Sequence, residues 1–255
     1  MSAAGAWDLS GRVVLVTGAG KGLGRGAALK LAAAGAQVLL VSRTAADLDA
    51  VAAEIEAAGG LAEPCVGDVT DPDELEAVVR RAEELGVLRG CVCGAGTNIT
   101  GPAVDYALDD WDALFAINVR ATFTTARAVG ASMLRRGVDG SIVTLSSQMG
   151  TVGFPGRVAY CATKHAVEGM TKALAVEWAA EGVRVNAVAP TFVDTPMTRP
   201  MFEDESFRAE VMRRLPTGRL ATIEEVSDAI LYLSCDASRS VTGHVLRVDG
   251  GWTAW

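Results

Sequence analysis

The sequence predicts an α/β fold in which helices cover both faces of a doubly wound parallel sheet of about seven strands. Short apolar runs rich in β-branched residues alternate with longer amphipathic segments, which is the pattern of repeated βαβ units. A glycine-rich turn joins the first such run to the first helical segment. A chain of 255 residues suits one large core, so we expect a single Rossmann-type domain over 1–255.

The first half of the chain contributes four predicted strands. Each is a short apolar run, and the segments between them have the spacing of amphipathic helices. The predicted strands are Arg12–Thr17, Gln37–Val41, Leu61–Val66 and Leu88–Cys93. The predicted helices run from the glycine turn through Ala34, from about Ala45 to Ala58 and from about Pro72 to Leu85.

The second half begins with a long predicted helix from about Asp109 to Arg136. Its apolar residues recur at helical spacing and are assigned to the core: Trp111, Leu114, Phe115, Val119 and Phe123. Further predicted strands are Ser141–Leu145, Val183–Val188 and His244–Val248, and further predicted helices are Tyr160–Ala180 and Ile223–Leu233. The segment of about 191–216, which contains prolines and methionines, is expected to cross over the sheet as a lid rather than form a second domain.

Composition narrows the possible partners. The net charge is -8, and no Lys/Arg-rich run offers phosphate contacts, so we expect no nucleic-acid partner. Charged residues interrupt every apolar segment before it reaches membrane-spanning length, and Met1–Ser10 lacks the features of a signal peptide. These observations predict a soluble, cytoplasmic protein with no membrane partner.

The cysteines and histidines do not indicate a metal site. The five cysteines lack C-x-x-C spacing and lie mostly among apolar residues, as reduced core thiols do. The two histidines, His165 and His244, are far apart in the sequence. We therefore expect no bound metal.

The turn from Thr17 to Gly24 has the features of a dinucleotide-binding loop. It follows a strand and opens a helix, so backbone amides and the helix N-terminus can approach a pyrophosphate. Gly18, Gly22 and Gly24 give the spacing G-x-x-x-G-x-G rather than the commoner G-x-G-x-x-G. The structural alternative is a tight turn that requires positive φ angles.

Two other strand ends point to the same ligand. Asp68-Val69-Thr70 follows the third strand, and Gly94-Ala95-Gly96 follows the fourth. Ligands of open α/β sheets bind at the carboxyl ends of strands. This position favours an adenine contact for Asp68 over the alternative of a helix N-cap.

The end of the second strand predicts a preference for NADP(H), with NAD(H) still possible. An NAD-specific site normally has an acidic residue here, about 20 residues beyond the glycine motif. Ser42 and Arg43 occupy that place, and Lys21 in the glycine turn adds a second positive charge. The alternative is that Arg43 and Lys21 are solvated surface charges.

Tyr160 and Lys164 are the first catalytic candidates. Four residues apart, they share a helix face, and a nearby ammonium favours the phenolate form of a tyrosine. Y-x-x-x-K is common by chance, but two partners accompany it here. Ser147 follows the fifth strand and can hold a substrate carbonyl, whereas Asn118 in the long helix can hold a proton-relaying water. A loop cap and a satisfied helix polar residue are the respective alternatives.

Together these motifs resemble the short-chain dehydrogenase/reductase family from about Leu9 to Gly251. The matching residues are Thr17 to Gly24, Asp68-Val69, Gly94-Ala95-Gly96, Asn118, Ser147, Tyr160 with Lys164, and Asn186 to Pro190. The resemblance implies a catalytic tetrad of Asn118, Ser147, Tyr160 and Lys164, with Lys164 also binding the nicotinamide ribose. The implied reaction interconverts a ketone and a secondary alcohol by hydride transfer.

The resemblance also assigns binding residues. The implied cofactor-binding positions are Gly18, Gly20, Lys21, Gly22, Leu23, Gly24, Ser42, Arg43, Asp68, Val69, Gly94, Ala95, Gly96, Tyr160, Lys164, Pro190, Val193 and Thr195. The implied substrate-binding positions are Asn98, Ser147, Gln148, Met149, Phe154, Thr191 and Phe192, under a mobile lid at 196–207. With Arg157, they suggest a small or medium oxygenated substrate.

The sequence departs from the family pattern at two places. Cys93-Gly94-Ala95-Gly96 replaces Asn-Asn-Ala-Gly, and Pro190-Thr191 replaces Pro-Gly. The alternatives to a small-molecule reductase are a 3-oxoacyl-[acyl-carrier-protein] reductase and a non-catalytic dinucleotide sensor. The acidic charge disfavours the first, and the intact tetrad disfavours the second. By resemblance we also expect a homotetramer in which the long helix and the Tyr160 helix pair with their twins and Gly250–Trp255 lies at an interface.

Overall fold

A computed structural model describes residues 3–254. Its single sheet has seven parallel strands in the order β3-β2-β1-β4-β5-β6-β7. The strands are β1 Val13–Thr17, β2 Gln37–Ser42, β3 Leu61–Val66, β4 Leu88–Cys93, β5 Gly140–Leu145, β6 Val183–Pro190 and β7 Val245–Val248. The chain winds outward from β1 to β3 and then in the opposite direction from β4, so β1 and β4 flank the switch point where such sheets bind ligands.

Helices cover both faces of the sheet. They are α1 Gly22–Ala33, α2 Ala45–Ala57, α3 Pro72–Leu85, α4 Leu108–Phe115, α5 Ala121–Arg136, α6 Val158–Trp178, α7 Glu205–Arg213 and α8 Ile223–Ser234. The predicted doubly wound fold is confirmed. No helix within residues 3–254 is long and apolar enough to cross a membrane.

The two core layers follow from the alternation of side chains along the strands. In β1, Val14 and Val16 pack with α1, α2 and α8 on one face. Val13 and Leu15 point to the other face and pack with α3, α5 and α6. Because both faces are covered, every residue of β1 is buried, as expected for a central parallel strand.

The long helix predicted from Asp109 to Arg136 is not continuous. Between α4 and α5, the segment Ala116–Arg120 forms a π-helical turn, with Asn118 at its centre. Such turns insert one extra residue and are frequent at functional sites. The prediction of one regular helix is wrong here. The turn adds a single residue and leaves the apolar pattern on either side intact, so the pattern does not reveal it. The assignment of Phe123 to the core is also wrong, since its side chain is exposed on α5, whereas Leu114 is buried as predicted.

The segment after β6 contains more regular structure than the sequence predicts. It forms a short 3₁₀ turn at Arg199–Glu203 and then α7. The carboxylate of Asp204 caps α7 by accepting from the backbone N–H groups of Ser206 and Phe207. The segment crosses over the sheet as expected, but its second half is helical.

Candidate active site

Asn118 joins the π-helical turn to the loop that follows β4. Its Oδ1 accepts from the N–H of Thr97 at 2.9 Å, and its Nδ2 donates to the Thr97 carbonyl at 2.9 Å and to Thr163 Oγ1 at 3.3 Å. The side chain is 1% exposed, so these bonds satisfy an amide that water does not reach. In this structure Asn118 fixes the β4 loop against α5 and α6.

Ser147 lies just beyond the end of β5 and faces the same cleft. Its Oγ accepts from the backbone N–H of Met149 at 3.2 Å, which is the loop-capping role that the sequence left open. The hydroxyl also lies near the Tyr160 phenol and lowers its pKa. Capping and contact with Tyr160 are therefore compatible.

Lys164 lies one turn after Tyr160 on α6, as its spacing predicts. Its Nζ donates to the carbonyl of Leu145 at 2.8 Å and lies 5.4 Å from the centroid of the Tyr160 ring. Burial lowers the pKa of Lys164 from 10.5 to about 8. A buried ammonium of this kind responds strongly to any nearby negative charge.

The Tyr160 phenol is held in its neutral form. Burial raises its pKa from 10.0 to about 12, and this effect exceeds the opposing effects of the Ser147 hydroxyl and the Arg157 charge. At neutral pH the phenol is thus protonated in the cofactor-free protein. It is a proton donor until a ligand changes the local charge.

The glycine turn brings the ends of β1 and β4 into direct contact. A Cβ on Gly18 would lie 2.8 Å from the carbonyl oxygen of Gly94, and one on Gly24 would lie 2.2 Å from that of Gly18. Thr17 Oγ1 accepts from the N–H groups of Gly94 and Ala95 at 3.0 and 3.1 Å. Gly18 also has a φ of +67°, so the tight-turn explanation is correct for its conformation. Both features leave bare backbone beside the start of α1, which suits a pyrophosphate.

These elements surround one cleft of about 510 Å³ at the carboxyl edge of the sheet. Its predicted lining residues are Gly18, Lys21, Gly22, Leu23, Gly24, Gly94, Ala95, Gly96, Ser147, Tyr160, Lys164, Pro190, Thr191, Val193 and Thr195. Three further lining residues begin the expected lid: Pro196, Met197 and Thr198. The remaining three were not predicted from the sequence: Thr97, Leu145 and Ser146. The cleft fits a nicotinamide dinucleotide. At one end it is lined by the backbone of the glycine turn, and it extends from there to the side chains of Ser147, Tyr160 and Lys164.

The end of the cleft near β2 carries paired charges. Lys21 Nζ lies 2.9 Å from Asp47 Oδ2, and Arg43 Nη1 lies 3.9 Å from Asp68 Oδ2. Ser42 lies between them at the end of β2, where its Oγ accepts weakly from the Thr44 N–H at 3.4 Å. Asp47, in the first turn of α2, is a residue that the sequence analysis missed.

Asp68 does not cap α3. Asp71 does, by accepting from the N–H groups of Asp73 and Glu74, so the helix-cap alternative for Asp68 is wrong. The Asp68 carboxylate instead accepts from the N–H and hydroxyl of Thr70, and these bonds lower its pKa. Neither Asp68 nor the buried Val69 lines the cleft, and their contact with adenine stays a prediction.

Comparison with known proteins decides the family. A family model described as "Enoyl-(Acyl carrier protein) reductase" matches residues 18–253. The chain is 38% identical to the 3-oxoacyl-[acyl-carrier-protein] reductase FabG of Thermotoga maritima over 95% of this chain and 98% of that protein. It is 39% identical to the L-xylulose reductase of Mus musculus over 96% of this chain and 98% of that protein.

A solved structure agrees with these relatives. The crystal structure of a gluconate 5-dehydrogenase from Burkholderia cenocepacia, in complex with NADP and tartrate, matches with a TM-score of 0.95. The two chains are 32% identical, and the match covers 99% of each. The chain belongs to the short-chain dehydrogenase/reductase family. It is an NAD(P)-dependent oxidoreductase that interconverts a secondary alcohol and a ketone.

The substrate positions predicted for this short-chain dehydrogenase lie at different depths. Ser147 and Thr191 line the cleft. Phe154 and Phe192 lie farther back, in an aromatic cluster with Phe202, Phe207 and Trp252. Gln148 is 1% exposed, and neither its Oε1 nor its Nε2 has a hydrogen-bond partner. Asn98, beside the cleft residue Thr97, likewise has a buried Oδ1 without a partner.

The two departures from the short-chain dehydrogenase pattern have different structural consequences. Cys93 is buried, with its Sγ 3.8 Å from Cys91 Sγ and 3.9 Å from the Thr122 carbonyl, so a thiol contact replaces the amide bonds of an asparagine. Thr191 adds a side chain to the cleft wall, and its buried Oγ1 has no partner. Only the second departure adds a polar group beside Tyr160.

Proposed function

We propose that this short-chain dehydrogenase uses NADP(H) to interconvert a small or medium polyhydroxylated alcohol and its ketone. The observation that carries the proposal is the convergence of Ser147, Tyr160, Lys164 and Thr191 on one cleft at the switch point of the sheet. The overall exchange is secondary alcohol plus NADP⁺ to ketone plus NADPH plus a proton. Relatives named for L-xylulose and gluconate support an oxygen-rich substrate.

The geometry of the cleft supports a catalytic role for each of these residues. When bound, the nicotinamide cofactor supplies or accepts the hydride. Tyr160 donates a proton to the carbonyl oxygen during reduction and accepts it from the alcohol during oxidation. Ser147, which lines the cleft together with Tyr160, orients the substrate oxygen. Lys164 stabilises the phenolate through its charge, and Asn118 keeps the β4 loop in position.

The preference for NADP(H) rests on the end of β2. Ser42 and Arg43 stand where an NAD-specific enzyme has a carboxylate, and Lys21 lies in the adjacent turn. A 2′-phosphate would bring the exposed side chains of Arg43 and Lys21 a stronger anionic partner than the partly buried carboxylates they now contact. The Burkholderia relative, which was crystallised with NADP, supports the same preference.

The second candidate is reduction of a 3-oxoacyl thioester on an acyl-carrier protein. The Thermotoga relative favours it. The description of the family model shares the carrier-protein substrate but names reduction of an enoyl C=C bond. An acidic carrier would have to dock on a protein of net charge -8, which disfavours it. A non-catalytic dinucleotide sensor is a third reading, and the complete set of four catalytic candidates argues against it.

Purified protein assayed with both cofactors separates these functions. The panel contains polyols, sugar acids, their ketones and a 3-oxoacyl thioester. We expect NADP(H)-dependent turnover of the polyhydroxylated compounds. Turnover of the thioester alone would favour the carrier-protein reductase, and cofactor binding with no turnover would favour the sensor.

We also propose a homotetramer in the cytoplasm. Exposed apolar side chains on α4, α5 and α6 support pairing of these helices with their twins: Leu108, Phe123 and Val176. Within the tail, Trp252 is buried against its own chain, and Trp255 lies outside the described residues. Light scattering that found only monomer at micromolar concentration would contradict the tetramer.

A further inference from the structure

The substrate end of the cleft contains an unusual group of buried polar atoms. Among the residues that the structure describes, every buried side-chain nitrogen or oxygen without a hydrogen-bond partner belongs to four residues: Asn98, Gln148, Arg157 and Thr191. They come from four separate segments. Thr191 lines the cleft, Asn98 and Gln148 directly follow lining residues, and Arg157 lies three residues before Tyr160. Buried polar groups are normally satisfied, so a cluster of unsatisfied ones requires an explanation.

Arg157 is the one member of this group that carries a charge. Arg157 is only 6% exposed, and its Nε has no hydrogen-bond partner. Its Nη2 donates to the thioether of Met201 in the lid at 3.2 Å, although sulfur is a weak acceptor. No carboxylate within residues 3–254 forms an ion pair with it, and burial lowers the pKa of the guanidinium. A buried cation without a counter-ion is destabilising unless a ligand supplies the missing charge.

The position of Arg157 connects that charge with the reaction site. It immediately precedes α6 and lies one turn before Tyr160, and its charge lowers the pKa of the Tyr160 phenol that burial raises. The contact with Met201 places its other side against the lid. The guanidinium therefore lies between the proton-transfer residue and the segment that covers the substrate.

We propose that Arg157 binds a carboxylate of the substrate, so that the preferred substrates are polyhydroxy acids and their keto acids rather than neutral polyols. A guanidinium matches a carboxylate in planarity and charge, and two parallel N–H···O bonds can form. The unpartnered Gln148 amide and Thr191 hydroxyl then bind neighbouring hydroxyl groups of the same molecule. This inference rests on the proposed function and refines its substrate class.

The test compares matched acids and alcohols. Wild type and Arg157→Met are assayed with NADP⁺ on aldonates of four to six carbons, including gluconate, and on the alditols of equal length, including sorbitol. We expect wild type to prefer the acids. Loss of a charge-assisted interaction should lower kcat/KM for the acids about 10- to 100-fold, mainly through KM, and change that for the alditols less than about threefold.

Arg214→Met is the matched control. Arg214 also lies by the aromatic cluster, over the rings of Phe154 and Trp252, but it is already paired with Glu210. Its loss should affect acids and alditols equally. If Arg157→Met fails to fold, Arg157→Lys replaces it, and we expect a severalfold higher KM for the acids with kcat retained.

The outcomes separate this inference from the function on which it rests. The carboxylate contact would be overturned if wild type preferred alditols, or if Arg157→Met lost kcat/KM equally for acids and alditols. Either result would leave the proposed polyol dehydrogenase function intact. No turnover of either class, in either direction and with either cofactor, would overturn the proposed function and this inference with it.

Discussion

Lys21 in the glycine turn forms an ion pair with Asp47 in the first turn of α2, with 2.9 Å between Nζ and Oδ2. A Cβ added to Gly20 would lie 2.9 Å from Asp47 Cβ and 3.3 Å from Ser42 Oγ, so Asp47 closely adjoins the proposed 2′-phosphate site. The site therefore combines two carboxylates, Asp47 and Asp68, with two cations, Lys21 and Arg43. Asp47 should limit the preference for NADP(H).

We expect Asp47→Asn to lower the KM for NADP⁺ severalfold and to leave that for NAD⁺ within about twofold. The change removes a negative charge that repels the 2′-phosphate and frees Lys21 to bind it; the effect is moderate because Lys21 is largely exposed and screened. Glu54→Gln, which breaks the pair of Glu54 with Arg25 farther along α2, is the control. An unchanged ratio of the two KM values in Asp47→Asn would remove Asp47 from the cofactor site.

The double change Ser42→Asp/Arg43→Ala should shift the preference toward NAD⁺. The new carboxylate can accept from a ribose 2′-hydroxyl and repels a 2′-phosphate, while the loss of Arg43 removes a phosphate-binding fork. The measurement is kcat/KM with each cofactor. Two results would show that the residues at the end of β2 do not contact the adenosine ribose. One is a wild type that prefers NAD⁺, and the other is a double variant whose ratio of kcat/KM values for the two cofactors is unaltered.

Tyr160→Phe and Lys164→Ala should each keep the fold and lower kcat by about 10²-fold or more. Phenylalanine retains the ring that packs over Lys164 but removes the proton that reaches the substrate oxygen. Circular dichroism and thermal unfolding would check the fold. Tyr232→Phe, at a ring that packs on Trp7, serves as the control. Near wild-type kcat in Tyr160→Phe would mean that another group transfers the proton.

The buried ammonium of Lys164 predicts a pH-dependent stability in the absence of cofactor. Burial lowers its pKa to about 8 in the folded chain, against 10.5 when exposed, so between these values the unfolded chain binds the extra proton. The free energy of unfolding of wild type should therefore rise relative to Lys164→Met by about 2 kcal/mol between pH 8 and pH 9.5. Below pH 8 the difference should be constant.

Urea unfolding at several pH values measures this difference. Lys172→Met, at an exposed position of the same helix, controls for the loss of a lysine from α6. The comparison ends at about pH 10. Above that pH, Tyr160 ionises in the unfolded chain, whereas burial raises its pKa to about 12 in the folded chain, so rising pH then favours unfolding. Parallel curves for wild type and Lys164→Met would show that Lys164 keeps its ordinary affinity for protons when folded.

Local sequence was sufficient for the fold and for the main catalytic candidates. The alternation of Val13 to Val16 between two core faces follows from the geometry of a strand, and the shared face of Tyr160 and Lys164 follows from that of a helix. Gly18 marks a turn with a positive φ because few other residues adopt one. Each of these predictions depends only on residues that are close together in the sequence.

The sequence by itself determined the doubly wound sheet, the glycine turn and the Tyr160–Lys164 pair, because backbone geometry and side-chain spacing specify them locally. Only the tertiary structure decided that Asn118 lies in a π-helical turn bound to Thr97, that Asp47 neutralises Lys21, and that Arg157 is buried with an Nε that has no partner in the part of the chain that the structure describes. These features depend on contacts between separate elements. The exclusion of solvent at those contacts determines the charge and the hydrogen bonding of each group. A local sequence pattern does not show which groups are buried in this way.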